Sequence, residues 1–216
     1  MSMAVCIVGS QYIPSIEYFA HWKHHGKVTI EAHEHYQKRT WRNKTAILGP
    51  DSPHYLTVPL QRGKHQQMMI RDVRIAYDEP WKKIHLNSLK TAYGKTAFFD
   101  EVLPGFQELY QKKFETLWEL NEAGMQLIQS LLGGKWSYSL TENYTTDYPR
   151  DASDLRNGIP AGVTVLPSEM IPGYIQVHRL HKTHQPNLCI LDALCHLGPE
   201  TGEYLDRYAH KLYEKP

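Results

Sequence analysis

The first 43 residues constrain the fold more than any other stretch, because they contain a strand, a helix and a second strand in quick succession. Residues 4–9 form a continuous apolar run, typical of a strand that is buried on both faces of a sheet. Residues 14–24 carry a helical apolar stripe that begins at Pro14 and is stopped by Gly26. Residues 27–32 form a second apolar strand. A helix between two such strands predicts parallel pairing with a right-handed crossover.

Polar residues follow both predicted strands, at the point where each strand ends. Ser10, Gln11 and Tyr12 follow the first strand, and the run Glu31-Ala32-His33-Glu34-His35 closes the second. Ligands of open α/β sheets bind outside the carboxyl ends of the strands, and adjacent parallel strands bring these ends together. The sequence therefore predicts a polar site at this edge. A solvated surface loop is the alternative that the spacing leaves open.

The composition is that of an ordinary globular protein and excludes several classes. The chain has 216 residues, 41% hydrophobic and 22% charged, and we expect one domain over residues 1–216. A net charge of +1 argues against bulk binding of nucleic acid or acidic membranes. No apolar run approaches the roughly 18 residues of a membrane span, and the first strand lacks the features of a signal peptide. Because the three cysteines form no CxxC pair, we expect a cytoplasmic protein without a disulfide framework.

The rest of the chain carries both strand and helix signals. Residues 69–76 alternate apolar and charged side chains, so we expect a half-buried strand or extended segment that pairs with the strand before it. Residues 145–172 lack periodicity and are interpreted as a binding loop, a lid or a disordered surface segment, with Asp151, Asp154 and Arg156 as its charged candidates. Residues 45–48 lead into a turn, and the expected strands after the first two are residues 54–60, 69–76, 136–144 and 174–177.

Helical periodicity dominates the middle and the end of the chain. We expect a break near Pro104, and a helix capped by Asn187 and closed at Gly198. The expected helices cover residues 81–93, 97–114, 117–132, 187–198 and 199–212. These elements predict an α/β fold with an N-terminal β-α-β unit, a small mixed sheet, a helical middle segment and C-terminal helices.

Several chemistries are excluded by missing motifs. The chain has no GxGxxG or GxxxxGK[ST] phosphate cradle, no GxSxG nucleophile elbow and no HExxH zinc motif. His33 and His35 could share one face of a strand, but further ligands are not evident, so no metal is assigned and a metal-dependent hydrolase is kept only as a third hypothesis. The residues that remain are histidines, carboxylates and the cations Lys38, Arg39 and Arg42. Such a set suits acid–base chemistry on a small anionic substrate, and equally a surface ion network.

Motifs spread along most of the chain resemble the WbqC-like family of bacterial proteins. No single motif is specific, but their order and spacing together are. The matching pieces are Tyr12-Ile13-Pro14, Tyr36-x-Lys38-x-Thr40-x-x-Asn43, Leu56-Thr57-Val58-Pro59, Ile70-x-Asp72-Val73-x-Ile75, Trp81-x-x-x-His85-x-x-x-Leu89-x-x-x-Tyr93, and Asn187-Leu188-Cys189-Ile190-Leu191-Asp192-Ala193-Leu194 with Gly198-Pro199. The resemblance implies a role in surface-polysaccharide (O-antigen) synthesis, with a proposed transfer of glycine onto an amino sugar.

The resemblance and the strand-end argument together give two hypotheses. In the first, the protein is an enzyme that transfers a glycyl or other small acyl group to an amino-sugar precursor, and His33, His35 or His85 deprotonates the attacking amine. In the second, it is a non-catalytic binding or accessory protein for a sugar nucleotide or phosphorylated sugar. Neither hypothesis names a cofactor or an oligomeric state. The candidate substrate-binding residues are Gln11, Tyr12, Lys38, Arg39, Arg42, Asn43 and Asp192, and we expect Gln11, His33, Lys38 and Asn43 to face one common hollow.

Overall fold

The predicted strand–helix–strand unit is present at the start of the fold. The structure, a computed structural model, describes residues 5–134, 136–149, 152–159, 170–178 and 184–214. Strand β1 (Cys6–Gly9) is followed by helix α1 (Ile16–His25) and strand β2 (Lys27–Glu31), and β1 pairs with β2 in parallel. The α1 helix begins after Ser15, whose hydroxyl accepts a hydrogen bond from the Tyr18 backbone N–H, and it ends at Gly26 in a left-handed conformation.

The next strands form a separate hairpin. Strands β3 (Lys44–Leu48) and β4 (Pro53–Thr57) pair in antiparallel fashion and are joined by the predicted Gly-Pro-Asp-Ser turn. Residues 69–76 do not form a regular strand, because Ile70–Asp72 is a single 3₁₀ turn. The expected pairing with the preceding segment is present only at the end of this stretch, where Leu60 and Ile75 form an isolated antiparallel bridge. There the Gln61 N–H donates to the Arg74 carbonyl and the Ala76 N–H donates to the Pro59 carbonyl. The burial pattern of this segment was still correct, since Ile70, Val73 and Ile75 are buried.

Three helices form the middle segment: α2 (Trp81–Tyr93), α3 (Phe99–Gln111) and α4 (Leu117–Leu132). The predicted break near Pro104 is wrong, because α3 continues through it. A proline in a helix removes one backbone hydrogen bond, and the buried side chains of α3 offset that loss. Gly105 leaves room for α4, since a Cβ atom there would lie 2.5 Å from the Leu127 side chain.

The last strands and helices complete the fold. They are β5 (Ser137–Leu140), β6 (Ser153–Leu155), α5 (Ile190–Leu197) and α6 (Thr201–Tyr213). Strand β6 lies in a segment that was expected to be irregular, and the predicted strand at residues 174–177 is absent from the described residues. The N-cap of α5 is Cys189 instead of Asn187, which adopts φ +52°. Residues 150, 151 and 160–169 of the expected loop or lid lie outside the described residues.

A four-stranded sheet carries the candidate site. Its order is β5-β2-β1-β6, and all three strand pairs are parallel. The α/β class is therefore confirmed, with the strands divided between this parallel sheet and the separate β3–β4 hairpin. Because all four strands run in one direction, their carboxyl ends meet at a single edge.

Helix α6 packs along α1. No helix among the described residues is both long enough and apolar enough to span a bilayer.

Candidate functional site

A cavity of about 310 Å³ opens at the carboxyl ends of β1 and β6. It shares the end of β1 with the site expected from the β-α-β unit, but its second strand end belongs to β6 and not to β2. We call it the arginine cavity, because the described residues that line it include three arginines and no carboxylate. The lining residues are Gly9, Ser10, Gln11, Arg39, Thr40, Trp41, Arg42, Arg156, Asn157 and Ile159.

Arg42 is held in the wall of the arginine cavity by a buried ion pair. Its Nε lies 2.8 Å from Oε1 of Glu34, and its Nη2 lies 2.5 Å from Oε2 of the same carboxylate. Both side chains are at most 5% exposed. Burial raises the pKa of Glu34 above its ordinary value, and this outweighs the opposite effect of Arg42. The geometry is the planar, bidentate one that arginine forms with carboxylates.

Arg156 lies next to Arg42 in the lining, since Nη2 of Arg42 donates to the Arg156 backbone carbonyl at 3.3 Å. The Arg156 side chain is fixed by several partners at once. Its guanidinium donates to Asp154, with Nε 2.9 Å from Oδ1, and to Glu31, with Nη1 3.2 Å from Oε2. The same Nη1 donates to the backbone carbonyl of Thr145 at 2.9 Å. These hydrogen bonds from Arg156 lower the pKa of Asp154. Because Glu31 ends β2 and Asp154 lies in β6, the hydrogen bonds of Arg156 connect these two strands.

Two further residues close the wall around the arginines. Gly9 permits a close approach, since a Cβ atom there would lie 3.2 Å from the Arg156 carbonyl oxygen and 3.3 Å from Nη2 of Arg42. Asn121, buried on α4, donates to Ser10 Oγ at 3.1 Å and to the Arg42 carbonyl at 2.9 Å. The α4 helix thus links β1 to the segment that carries Arg42.

Arg39 and Gln11 are two lining residues whose side chains have hydrogen-bonding groups without a recorded partner among the described residues. Arg39 is exposed, and the structure records no ion pair for it within the described part of the chain. Its φ of +62° is unusual for a residue other than glycine, and such backbone costs about 1–2 kcal/mol. Gln11 is 7% exposed, and its Oε1 is buried without a hydrogen-bond partner among the described residues. The group that the cavity most clearly offers to a ligand is therefore the Arg39 guanidinium.

Two larger hollows are poorer candidates for a polar ligand. One, of about 580 Å³, mixes cations such as Arg74 and Lys113 with the acidic Asp78 and Glu115. The other, of about 470 Å³, is lined mainly by apolar side chains such as Val102 and Leu194. Neither combines a strand-end position with a lining of one charge sign, as the arginine cavity does.

The structure places three of the predicted binding residues, Gln11, Arg39 and Arg42, in the arginine cavity. Tyr12 lies outside its lining and is buried, where its hydroxyl hydrogen-bonds to His85 Nδ1 at 2.8 Å and to the Tyr110 hydroxyl. Asn43 accepts a hydrogen bond from the Tyr36 hydroxyl and donates to the Val58 carbonyl.

Asp192 is fully buried in α5, away from the cavity lining. It accepts hydrogen bonds from the Tyr174 hydroxyl and from Nε2 of Gln176. Its contacts hold the segment of residues 170–178 against α5. The structure thus gives this predicted binding residue structural partners, and its binding role stays a prediction.

The predicted cationic and histidine residues are more dispersed than expected. His33 is half-buried, and its backbone N–H donates to Glu31 Oε1 at 2.8 Å. His35 and Lys38 are exposed, and none of the three lines the arginine cavity. The expectation that Gln11, His33, Lys38 and Asn43 share one hollow is therefore not met, because the chain leaves the strand geometry after Glu31 and turns. The described residues contain no group of three or more histidine, cysteine or acidic side chains able to hold a metal ion.

His85 should remain uncharged at neutral pH. It is 3% exposed, and burial lowers its pKa from 6.5 to about 4. We therefore expect its imidazole resonances to stay constant between about pH 8 and pH 5 in an NMR titration, with the assignment made by their loss in His85→Gln. A midpoint near 6.5 would contradict this, and it would favour the predicted role of His85 as a base, which requires titration near the working pH.

Comparison with known proteins identifies the family. The family model of the WbqC-like proteins matches residues 9–157, which include every lining residue given for the arginine cavity except Ile159. The chain belongs to the WbqC-like protein family. It is also 29% identical over 232 aligned residues to the Uncharacterized protein Rv1507c of Mycobacterium tuberculosis, with 96% of this chain and 99% of the relative covered. No solved structure shows a significant match.

Asn121 was not predicted as a residue of the site. It could have been found, since it is a lone polar residue on the apolar face of a helix, and buried polar groups need partners. Arg156 was a charged candidate of the expected binding loop, beside Asp151 and Asp154, but nothing local connected it with the ends of β1 and β2. Its place in the site depends on β6 pairing with β1, which the sequence did not indicate.

Proposed function

We propose that this WbqC-like protein binds a phosphorylated or nucleotide-linked amino-sugar precursor of a bacterial surface polysaccharide in the arginine cavity. The observation that carries the proposal is the lining itself, since among the described residues it contains Arg39, Arg42 and Arg156 and no carboxylate. Guanidinium groups bind phosphate and carboxylate oxygens in planar, charge-assisted geometry. The polysaccharide setting rests on the family resemblance.

The polar groups of the cavity suit the two ends of such a ligand. Arg42 and Arg156 are largely neutralised by Glu34, Glu31 and Asp154, so Arg39 is the cation available to an anionic group. Gln11 also lines the cavity, and its amide is the neutral polar group offered to a sugar hydroxyl.

Transfer of a glycyl or other small acyl group is the second candidate function. In that reaction the sugar amine attacks the carbonyl carbon of an activated acyl donor, a C–N bond forms, the donor's leaving group departs with the bonding electrons, and a base takes the amine proton. His33 is favoured as that base over His35 and His85. It is half-buried at the end of β2 and bound through its backbone to Glu31, which contacts the cavity residue Arg156.

Replacing Arg39 by alanine is expected to weaken ligand binding about 10- to 100-fold, the loss typical of a hydrogen bond to a charged group. Alanine has the same left-handed backbone cost as arginine at this position, so the fold should be unaffected. The measurement is isothermal titration calorimetry of the whole protein against a panel of nucleotide-linked amino sugars. Lys27→Ala is the matched control, since Lys27 is an exposed cation at the opposite end of β2.

The outcomes separate the two candidate functions. Failure of every panel member to bind, or equal binding by Arg39→Ala and wild type, would contradict the proposed ligand site. Binding without product, when acyl thioesters and acyl phosphates are supplied as donors, would support recognition alone. Acyl transfer that His33→Ala abolishes and His35→Ala preserves would support the transferase.

A further inference from the structure

Two tyrosines flank Arg156 at the edge of the arginine cavity. The guanidinium carbon of Arg156 lies 4.8 Å from the ring centre of Tyr144 and 5.1 Å from that of Tyr148. We call these two side chains the tyrosine rim. Because Arg156 itself lines the cavity, the rim lies within one side chain of the cavity wall.

The tyrosine rim is anchored, although it lies in a stretch with no helix or strand. Arg156 donates a hydrogen bond to the carbonyl of Thr145, which lies between the two tyrosines in the sequence. Asp154 and Glu31 in turn hold the guanidinium against the sheet. The position of the rim relative to the cavity is therefore set by the same contacts that position Arg156.

Tyr144 offers an aromatic surface to solvent. It is 52% exposed, although burying an aromatic ring of this size is favourable. Its ring contacts the Arg156 guanidinium, and the remaining exposed area can receive a second flat group. Aromatic rings stack on nucleobases independently of sequence because every base has a π-face, and arginine beside the ring adds a cation–π contribution.

The size of the cavity indicates what part of a ligand lies inside. At about 310 Å³, it is at the lower end of the range of about 300–1,000 Å³ for small-molecule sites. A cavity of this size suits a sugar with its phosphates better than a complete nucleotide-linked sugar. A nucleoside joined to those phosphates would extend beyond the cavity, past Arg156 and towards the tyrosine rim.

We propose that the ligand of the arginine cavity is a sugar linked to a nucleoside diphosphate, and that Tyr144 is the stacking platform for its base. The inference rests on the proposed function and selects the nucleotide-linked form over the simple sugar phosphate. In this arrangement the diphosphate lies between Arg39 and Arg156, the sugar faces Gln11, and the base lies over the exposed part of Tyr144. Recognition of the base by stacking tolerates different bases.

The test compares two ligands that differ in the nucleotide. UDP-N-acetylglucosamine and N-acetylglucosamine 1-phosphate, which lacks the nucleoside, are titrated into the full-length protein by calorimetry. GDP-, CDP- and dTDP-linked hexoses are included, since stacking does not require uracil. We expect at least one nucleotide-linked sugar to bind about tenfold or more tightly than the sugar phosphate. Tyr144→Ala should abolish this difference, and Tyr144→Phe, which keeps the ring, should retain it.

Each result bears on a different claim. If the sugar phosphate and the nucleotide-linked sugars bind with equal affinity, and Arg39→Ala weakens both, the cavity binds its ligand but the stacking proposal is overturned. If Tyr144→Ala retains the full preference for the nucleotide, the platform is elsewhere and the proposal is likewise overturned. If no ligand binds, the proposed function fails, and the inference fails with it. Tyr144 is exposed, so its replacement should leave the fold intact, which a thermal unfolding curve checks.

Discussion

Replacing Glu34 by glutamine is expected to lower the free energy of unfolding by about 3–5 kcal/mol, the usual cost of removing one partner of a buried ion pair. Glutamine keeps the shape of the side chain but leaves the Arg42 guanidinium, which is 3% exposed, without a counter-charge. The loss is measured by urea unfolding at neutral pH. A loss under about 1 kcal/mol would mean that water or another carboxylate compensates Arg42.

Two controls separate charge from packing in this experiment. Glu108→Gln breaks an exposed i,i+4 pair with Lys112, and it should change stability by less than about 0.5 kcal/mol. The double variant Glu34→Leu with Arg42→Met removes both charges from the buried site. It should be markedly more stable than Glu34→Gln, because Glu34→Gln leaves a buried charge without a partner and the double variant does not.

The second large effect is expected at Asp192. Asp192→Ala should lower the free energy of unfolding by about 3 kcal/mol, because it leaves the Tyr174 hydroxyl and the Gln176 amide without their acceptor in a buried site. The segment of residues 170–178 should also be cleaved faster in limited proteolysis, since these hydrogen bonds join it to α5.

The matched control for Asp192 is Asp206. Its carboxylate is 60% exposed and pairs with Lys23 on the surface, so Asp206→Ala should cost less than about 1 kcal/mol. The experiment also tests the predicted binding role of Asp192. Unchanged stability together with weaker binding of a nucleotide-linked sugar would favour that role over the structural one.

The sequence predicted the fold best where structure is determined locally. The β-α-β unit was identified because its apolar runs, Ser15 and Gly26 act within a few residues of one another. Strand β6 was missed because its three residues, Ser-Asp-Leu, show no alternation of apolar and polar side chains. Its partner strand β1 also lies far away in the sequence, near the start of the chain. Residues 69–76 have the burial pattern of a strand, but the absence of a neighbouring strand is a tertiary property.

The candidate site, like the fold, was predicted only where it depends on residues close together in the sequence. The strand-end rule located Gln11 correctly, and the basic run that follows β2 contained Arg39 and Arg42. The directions of Lys38 and Asn43 could not be predicted, because they depend on a turn in which Arg39 adopts φ +62°. Arg156 required knowledge of a long-range strand pair, and its contact with Glu31 appears only after that pair forms.

The position of β6 has a consequence for when the arginine cavity is completed during synthesis. Cys6 pairs with Ser153, so the first strand to be synthesised receives this neighbour only after the hairpin, the three middle helices and β5 have left the ribosome. Closing so long a loop is entropically costly and slow compared with local pairing. A nascent chain that stops before β6 has Arg42 but lacks the wall that Arg156 supplies. The arginine cavity is therefore completed late in synthesis, and the proposed ligand would stabilise the step that closes the sheet.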